Sequence, residues 1–211
     1  MSYEKISSEL SKNKICAVSK LQPPIKIREL YAKGQRIFGE NYVQEALEKQ
    51  DILKDLPGIE WHLIGHLQKN KAKQVVGKFS LIHSVDSLDL AKTLGRLASA
   101  RQLTQKVLIQ VNLAEEESKS GFNKAEFEKA WPELQQIPGL NICGLMTMPP
   151  LTENPEDVRP YFRELAQLLR QRPGLTVLSM GTSHDYQVAL EEGATIVRLG
   201  TILFGERPVN R

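Results

Sequence analysis

A chain of 211 residues that is 41% hydrophobic and 25% charged can build one sizeable core and is short for two ordinary domains. Its net charge of +3 does not argue for a nucleic-acid partner, its two cysteines lack metal or disulfide spacing, and no run approaches the ~20 apolar residues of a membrane span. The polar opening MSYEKISSELSKNK has no signal-peptide core, so one cytoplasmic domain over residues 1–211 is expected, with no membrane partner.

In chain order, the first apolar run, KICAVSK, is short and continuous, the pattern of a strand covered on both faces. PPIKIRELYAKG follows as a helix, with prolines at its start, Ile27, Leu30 and Tyr31 on one face, and Gly34 as its stop. RIFGEN and EWHLIG read as the second and third strands. The lysines of HLQKNKAKQVVGK (Lys69, Lys71, Lys73 and Lys78) read as a solvated helix face. LIHSVD is a fourth strand, and SLDLAKTLGRLA is a helix capped by Ser87 with Leu90, Leu94 and Leu97 together. KVLIQVN, the fifth strand, precedes a helical FEKAWPEL that stacks Phe127, Ala130, Trp131 and Leu134; NICGLMTM is the sixth strand. The clearest helix is NPEDVRPYFRELAQLLR, with Asn154 as cap, Pro155 in first position and acids in the first turn. Its apolar stripe is Val158, Tyr161, Phe162, Leu165, Leu168 and Leu169. TVLSMGTS, a short helical HDYQVALEEG and TIVRLGTILFG complete the series.

Eight buried strands alternating with helices predict a parallel α/β sheet, and the count favours a closed (β/α)₈ TIM barrel. Functional residues then gather at the C-terminal ends of strands, with phosphate bound after strands seven and eight. Those ends carry Lys20, Asn41, His66, Asp86, Asn112, Met146 and Ser183, followed by Arg198, Gly200 and Thr201 in the last run.

Each candidate has a functional and a plain reading. Ser183, with Gly181, Gly200 and Thr201, is a phosphate cradle at a helix N-terminus, or a helix cap beside two turns. Lys20 pairs with an anion, forms a Schiff base with a carbonyl, or reaches solvent at the rim. Arg198, mid-strand among apolar neighbours, meets a ligand or an internal carboxylate. His62 and His66 are spaced i, i+4, but that spacing gathers metal ligands on a helix and EWHLIG is a strand, so no metal site is expected. GTSHD misses the GxSxG nucleophile elbow, with Asp185 where the last glycine belongs. Cys16 and Cys143 read as buried thiols acting as small hydrophobes.

The motifs AVSKLQP, FGENYVQEAL, WHLIGHLQKNK, SKSGF, GLMTMPP, SMGTSHD and TIVRLGTILFGERP run in this order from about Lys14 to Pro208. Together they resemble the pyridoxal 5′-phosphate (PLP) homeostasis proteins, the YggS/PROSC family. The resemblance implies a barrel like the N-terminal domain of alanine racemase, of PLP fold type III, without that enzyme's C-terminal β domain. It implies Lys20 as the residue holding PLP as an internal aldimine, and Ser183, Gly200 and Thr201 at the phosphate. It also implies Arg198 facing the pyridine nitrogen, Asn41 beside the cofactor, and Ser179 in the pocket.

An arginine against the ring nitrogen disfavours its protonation and makes the ring a weaker electron sink. Only six residues follow Gly205, so a second domain supplying the racemase's tyrosine base is not expected. The expected function is a monomeric, non-catalytic carrier that buffers intracellular PLP and supplies it to PLP-dependent apoenzymes. A feeble racemase using His66 or His184 as substitute bases is one alternative. A cofactor-free phosphosugar enzyme with a substrate Schiff base on Lys20 is another. Two departures from the family pattern stand out. The segment before VSK is short, which is expected to curtail the opening helix, and Thr182 replaces a methionine common in the family, with His184 in the same loop.

Overall fold

The computed structural model describes residues 3–11, 14–116 and 119–205. Ser118 of SKSGF and residues 206–208 of the last motif lie outside the described residues.

Eight strands, β1 (Ile15–Val18), β2 (Ile37–Glu40), β3 (Glu60–Leu63), β4 (Leu81–Val85), β5 (Gln105–Gln110), β6 (Leu140–Met146), β7 (Val177–Thr182) and β8 (Ile196–Leu199), pair in chain order. All pairings are parallel, and β8 returns to β1, so the sheet closes into a barrel. The helices are α1 (Tyr3–Glu9), α2 (Pro24–Ala32), α3 (Val43–Ile52), α4 (Ala72–Val75), α5 (Leu88–Ala100), α6 (Lys124–Leu134), α7 (Arg159–Arg170), α8 (Tyr186–Glu191) and α9 (Thr201–Phe204).

The continuous apolar runs have a direct cause in this closure. Alternate residues such as Ile15, Ala17, Phe38 and Ile82 pack with the helices, while Cys16, Ile37, Leu81, Leu108 and Ile196 form a separate cluster inside the barrel. The expected caps are present. Ser87 Oγ accepts from the Leu90 N–H, and Asn154 accepts from the Glu156 N–H to start a 3₁₀ turn that runs into α7.

Three expectations need correction. TIVRLGTILFG is not one strand: β8 ends at Leu199, and the N–H groups of Leu203 and Phe204 bond back to the Gly200 carbonyl. That turn brings Phe204 back into the core, where a continued strand would leave the barrel. Helix α3 was not expected, because the inner face of this charge-rich segment presents a buried lysine, Lys49, beside Ala46. The opening helix α1 is short, seven residues, and buries Tyr3 and Ile6, with the Tyr3 hydroxyl donating to Gln35 Oε1 at 3.1 Å. Cys16 is buried, but Cys143 is only half-buried, on β6 near the N-terminal end of the barrel. No helix among the described residues is long and apolar enough to cross a membrane.

Candidate functional site

A cavity of about 400 Å³ opens at the C-terminal ends of the strands, the mouth of the barrel. Lys20, Asn41, Ser183, Arg198, Gly200 and Thr201 all line it, together with Thr182 and His184. Residues as far apart in sequence as Lys20 and Thr201 therefore line one cavity, because they lie at or near the ends of strands of the same closed sheet. Ser179 does not line it; it is fully buried, one step behind Arg198. His66 also lies outside the lining, with Nδ1 2.9 Å from Asp86 and 3.2 Å from Ser120, and it does not converge with His62.

Lys20 directly follows the end of β1, in a turn built from the next two elements. Ser19 donates its N–H to Gly39 O at 2.9 Å and its hydroxyl to Glu40 Oε1 at 2.6 Å. Lys49 Nζ, reaching in from α3, donates to Ser19 O at 2.6 Å, Glu40 at 2.8 Å and Glu45 at 2.6 Å. Leu21 has φ +60°, a left-handed conformation that costs a non-glycine residue about 1–2 kcal/mol, and its N–H is held by Glu45 Oε1 at 2.7 Å. Glu40, Glu45 and Lys49 thus fix the backbone on both sides of Lys20. Burial pushes the Glu40 carboxyl upward against the opposing pull of Lys49 and Ser19. Nothing in the sequence marked this cluster, because an i, i+4 Glu45–Lys49 pair is indistinguishable from an ordinary surface pair.

On the opposite wall, one extra residue on β7 re-aims the chain. Ser179 pairs with Ile196, but the next pairing is Thr182 with Arg198, three residues against two. The bulge centres on Gly181 at φ +89°, where a Cβ would sit 2.6 Å from Ala189 Cβ on α8. Thr182 then donates its N–H and hydroxyl to Asp185 Oδ1 at 2.6 and 2.9 Å. Ser183 Oγ accepts the Gly200 N–H at 3.2 Å, tying the loops after β7 and β8 together. Ser183 therefore does not cap α8, which begins three residues later at Tyr186.

Arg198 donates from Nη1 to Ser179 Oγ at 2.7 Å and from Nη2 to Thr147 O at 3.0 Å. Among the described residues it makes no ion pair with a carboxylate, so the internal salt bridge considered from sequence is not formed. Burial pulls its pKa below the ordinary arginine value. Across the cavity, Asn41 Oδ1 is buried without a hydrogen-bond partner among the described residues. Gly65 lies against it so closely that a Cβ would fall 2.3 Å from Asn41 O.

An amine, a guanidinium and a cradle of Ser183, Gly200 and Thr201 thus converge on a cavity with no acidic residue among the described residues of its lining. That set suits a ligand that is anionic at one end and carries a carbonyl at the other. The unpaired Asn41 oxygen suits a ligand with a hydrogen-bond donor between the two.

The alanine racemase N-terminal domain family matches residues 2–208. A pyridoxal phosphate homeostasis protein of Aquifex aeolicus is 49% identical over 199 residues, covering 92% of this chain and 87% of that one. This chain belongs to the pyridoxal phosphate homeostasis protein family. PipY of Synechococcus elongatus, whose structure was solved with PLP bound, is 42% identical with a TM-score of 0.88, over 96% of this chain and 97% of that one. An alanine racemase of Clostridium difficile shares the fold, with a TM-score of 0.79 over 98% of this chain and 56% of that one at 16% identity.

Proposed function

We propose that this chain binds PLP in the mouth cavity and serves PLP homeostasis as a carrier and buffer, without substantial catalysis of its own. The observation that carries the reading is the meeting of Lys20, Arg198 and the Ser183–Gly200–Thr201 cradle in one cavity, with no acid among the described residues of its lining. The PLP-bound structure of a relative 42% identical supports it.

PLP, when bound, supplies an electrophilic carbonyl and an electron-withdrawing ring. Lys20 offers the amine that holds the carbonyl carbon. Ser183, Gly200 and Thr201 hold the phosphate, and Asn41 fills its open acceptor at the side of the ring. Arg198 faces the ring nitrogen; it has donors only and opposes a proton there, which weakens support for carbanion chemistry. Ser179 acts from behind Arg198. The same reading makes the protein a cytoplasmic monomer that loads PLP-dependent apoenzymes, a state that light scattering after size exclusion checks directly.

The test is titration of the purified protein with PLP, followed by visible absorption beside Lys20→Ala. A lysine-bound PLP band in the parent and its absence in the variant are expected. Absence of the band from both would sink the reading. A second reading, a narrow or weak racemase, is favoured by exposed His184 in the cavity wall. Exchange of amino-acid α-protons in deuterated water above the rate of free PLP would move the function there.

A further inference from the structure

The barrel interior holds a row of polar groups that runs from one end to the other. His62 on β3, His83 on β4, Ser179 on β7 and Arg198 on β8 are 3%, 0%, 0% and 4% exposed. Arg198 Nη1 lies 2.7 Å from Ser179 Oγ, Ser179 Oγ lies 2.8 Å from His83 Nδ1, and His83 Nε2 lies 3.0 Å from His62 Nδ1. Arg198 lines the mouth cavity, and His62 lines a second cavity, of about 430 Å³, at the N-terminal floor of the barrel.

The chemistry of the end member sets the direction of the row. A guanidinium only donates, so Ser179 Oγ must accept from Arg198. The serine's own proton then needs an acceptor, and among the described residues His83 Nδ1 is the one within reach. His83 therefore carries its proton on Nε2 and donates it to His62 Nδ1, which leaves the His62 proton on Nε2. Reversing the row would make Ser179 accept twice and strand its hydroxyl proton in a residue with no exposure. Burial holds both rings neutral, and for His83 the neighbouring His62 and Arg198 add to it, as a one-way row of this kind requires.

We infer that Ser179 and His83 are positioning residues for Arg198: the one-way row Arg198 to Ser179 to His83 to His62, with Thr147 O as second anchor, locks the guanidinium and turns its other N–H groups toward the mouth cavity. Its consequence for bound PLP rests on the function proposed above; the row itself does not. An arginine held on one side by a hydroxyl and on another by a carbonyl has no carboxylate competing for its remaining donors. Its contact with the ligand therefore depends on a serine and a histidine that touch no ligand.

Nitrogen NMR of isotope-labelled, PLP-free protein tests the row directly, with His62→Gln and His83→Gln used for assignment. Both rings are expected as the Nε2–H tautomer, and the Arg198 guanidinium protons are expected to be resolved and slow to exchange. Ser179→Ala should release the arginine signals, and Ser179→Thr, which keeps the hydroxyl, should restore them. A proton on His83 Nδ1 in the parent, or arginine protons equally protected in Ser179→Ala, overturns the inference whatever PLP does. On the loaded protein, Ser179→Ala should still form the Lys20 band but release PLP roughly tenfold faster, with Ser179→Thr close to the parent. Release from Ser179→Ala at the parental rate also overturns it. A parent that shows the NMR pattern but never forms the band retires the PLP reading and leaves the row standing.

Discussion

The two ends of the barrel hold cavities of nearly equal size, about 400 Å³ at the mouth and 430 Å³ at the floor. Both contain a lysine and several polar side chains: the floor is lined by Lys106, Glu60, His62, Ser80, Asn141 and Cys143, among others. Volume does not separate them, but composition and support do: the floor includes the Glu60 carboxylate, and the described lining of the mouth has no acid. At the mouth, Ser183 is tied to Gly200, Thr182 to Asp185, Arg198 to Ser179, and the turn carrying Lys20 to Glu45 and Lys49. At the floor, neither the Lys106 nor the Glu60 side chain has a hydrogen bond or ion pair among the described residues, and both are exposed. A site that must hold a ligand in one geometry needs its groups locked before the ligand arrives, and only the mouth shows that.

The largest expected effect sets Lys20 against Lys106. After PLP loading and borohydride reduction, peptide mapping should find the label on Lys20 in the parent and in Lys106→Ala, and lose it in Lys20→Ala. Label on Lys106 would erase the distinction between the two ends.

The next effect compares two glycines. Gly65→Ala at the mouth would push a Cβ to 2.3 Å from Asn41 O and should cost about 3 kcal/mol in urea unfolding. Gly174→Ala at the floor meets nothing within 4 Å and carries only the strain of its φ of +97°, about 1 kcal/mol. Equal losses would mean that the mouth is no more tightly built.

A smaller, graded effect lies on the axis joining the ends. Burial lowers His62 to about 3, and burial, His62 and Arg198 lower His83. The unfolded chain takes up protons near pH 6.5 that the folded rings refuse, so stability is full above that pH and falls as pH drops through it. The limiting slope is about 1.4 kcal/mol per pH unit for each histidine. Urea midpoints between pH 7 and 5, above the ordinary carboxylate range, should fall in the parent and fall about half as steeply in His83→Gln, which keeps buried His62. A flat parent profile would show that the rings titrate normally in the folded state.

The smallest effect concerns the turn beside Lys20. Leu21→Gly should change stability by less than about 1 kcal/mol, because relief of the left-handed φ offsets lost contacts, while Leu21→Val should cost about 1–2 kcal/mol. Thermal melts in which valine is tolerated as well as glycine would argue against strain at this turn.

Much of the mouth was legible because strand ends are legible. Once the apolar runs are counted, Lys20, Asn41 and Ser183 fall at their ends and Arg198, Gly200 and Thr201 within the last one. The sequence leaves Ser183 as either a cap or a cradle, and only the folded chain shows its hydroxyl on Gly200. The family resemblance implies Ser179 in the pocket, and the structure places it behind Arg198. Helix α3 escaped notice because the residue facing inward is Lys49, and a buried lysine breaks the apolar period that announces a helix.

Local pattern by itself determined the alternation of buried strands and helices, and so a parallel α/β sheet with its polar candidates at the strand C-termini, because side-chain period and strand burial are written residue by residue. Tertiary structure alone decided which inward residues meet across the barrel. His62, His83, Ser179 and Arg198 come from four strands far apart in sequence, and their contact depends on closure of β8 onto β1 and on the one-residue bulge at Gly181. Neither the closure nor the register shift is encoded in any single stretch, since both arise from the sheet as a whole.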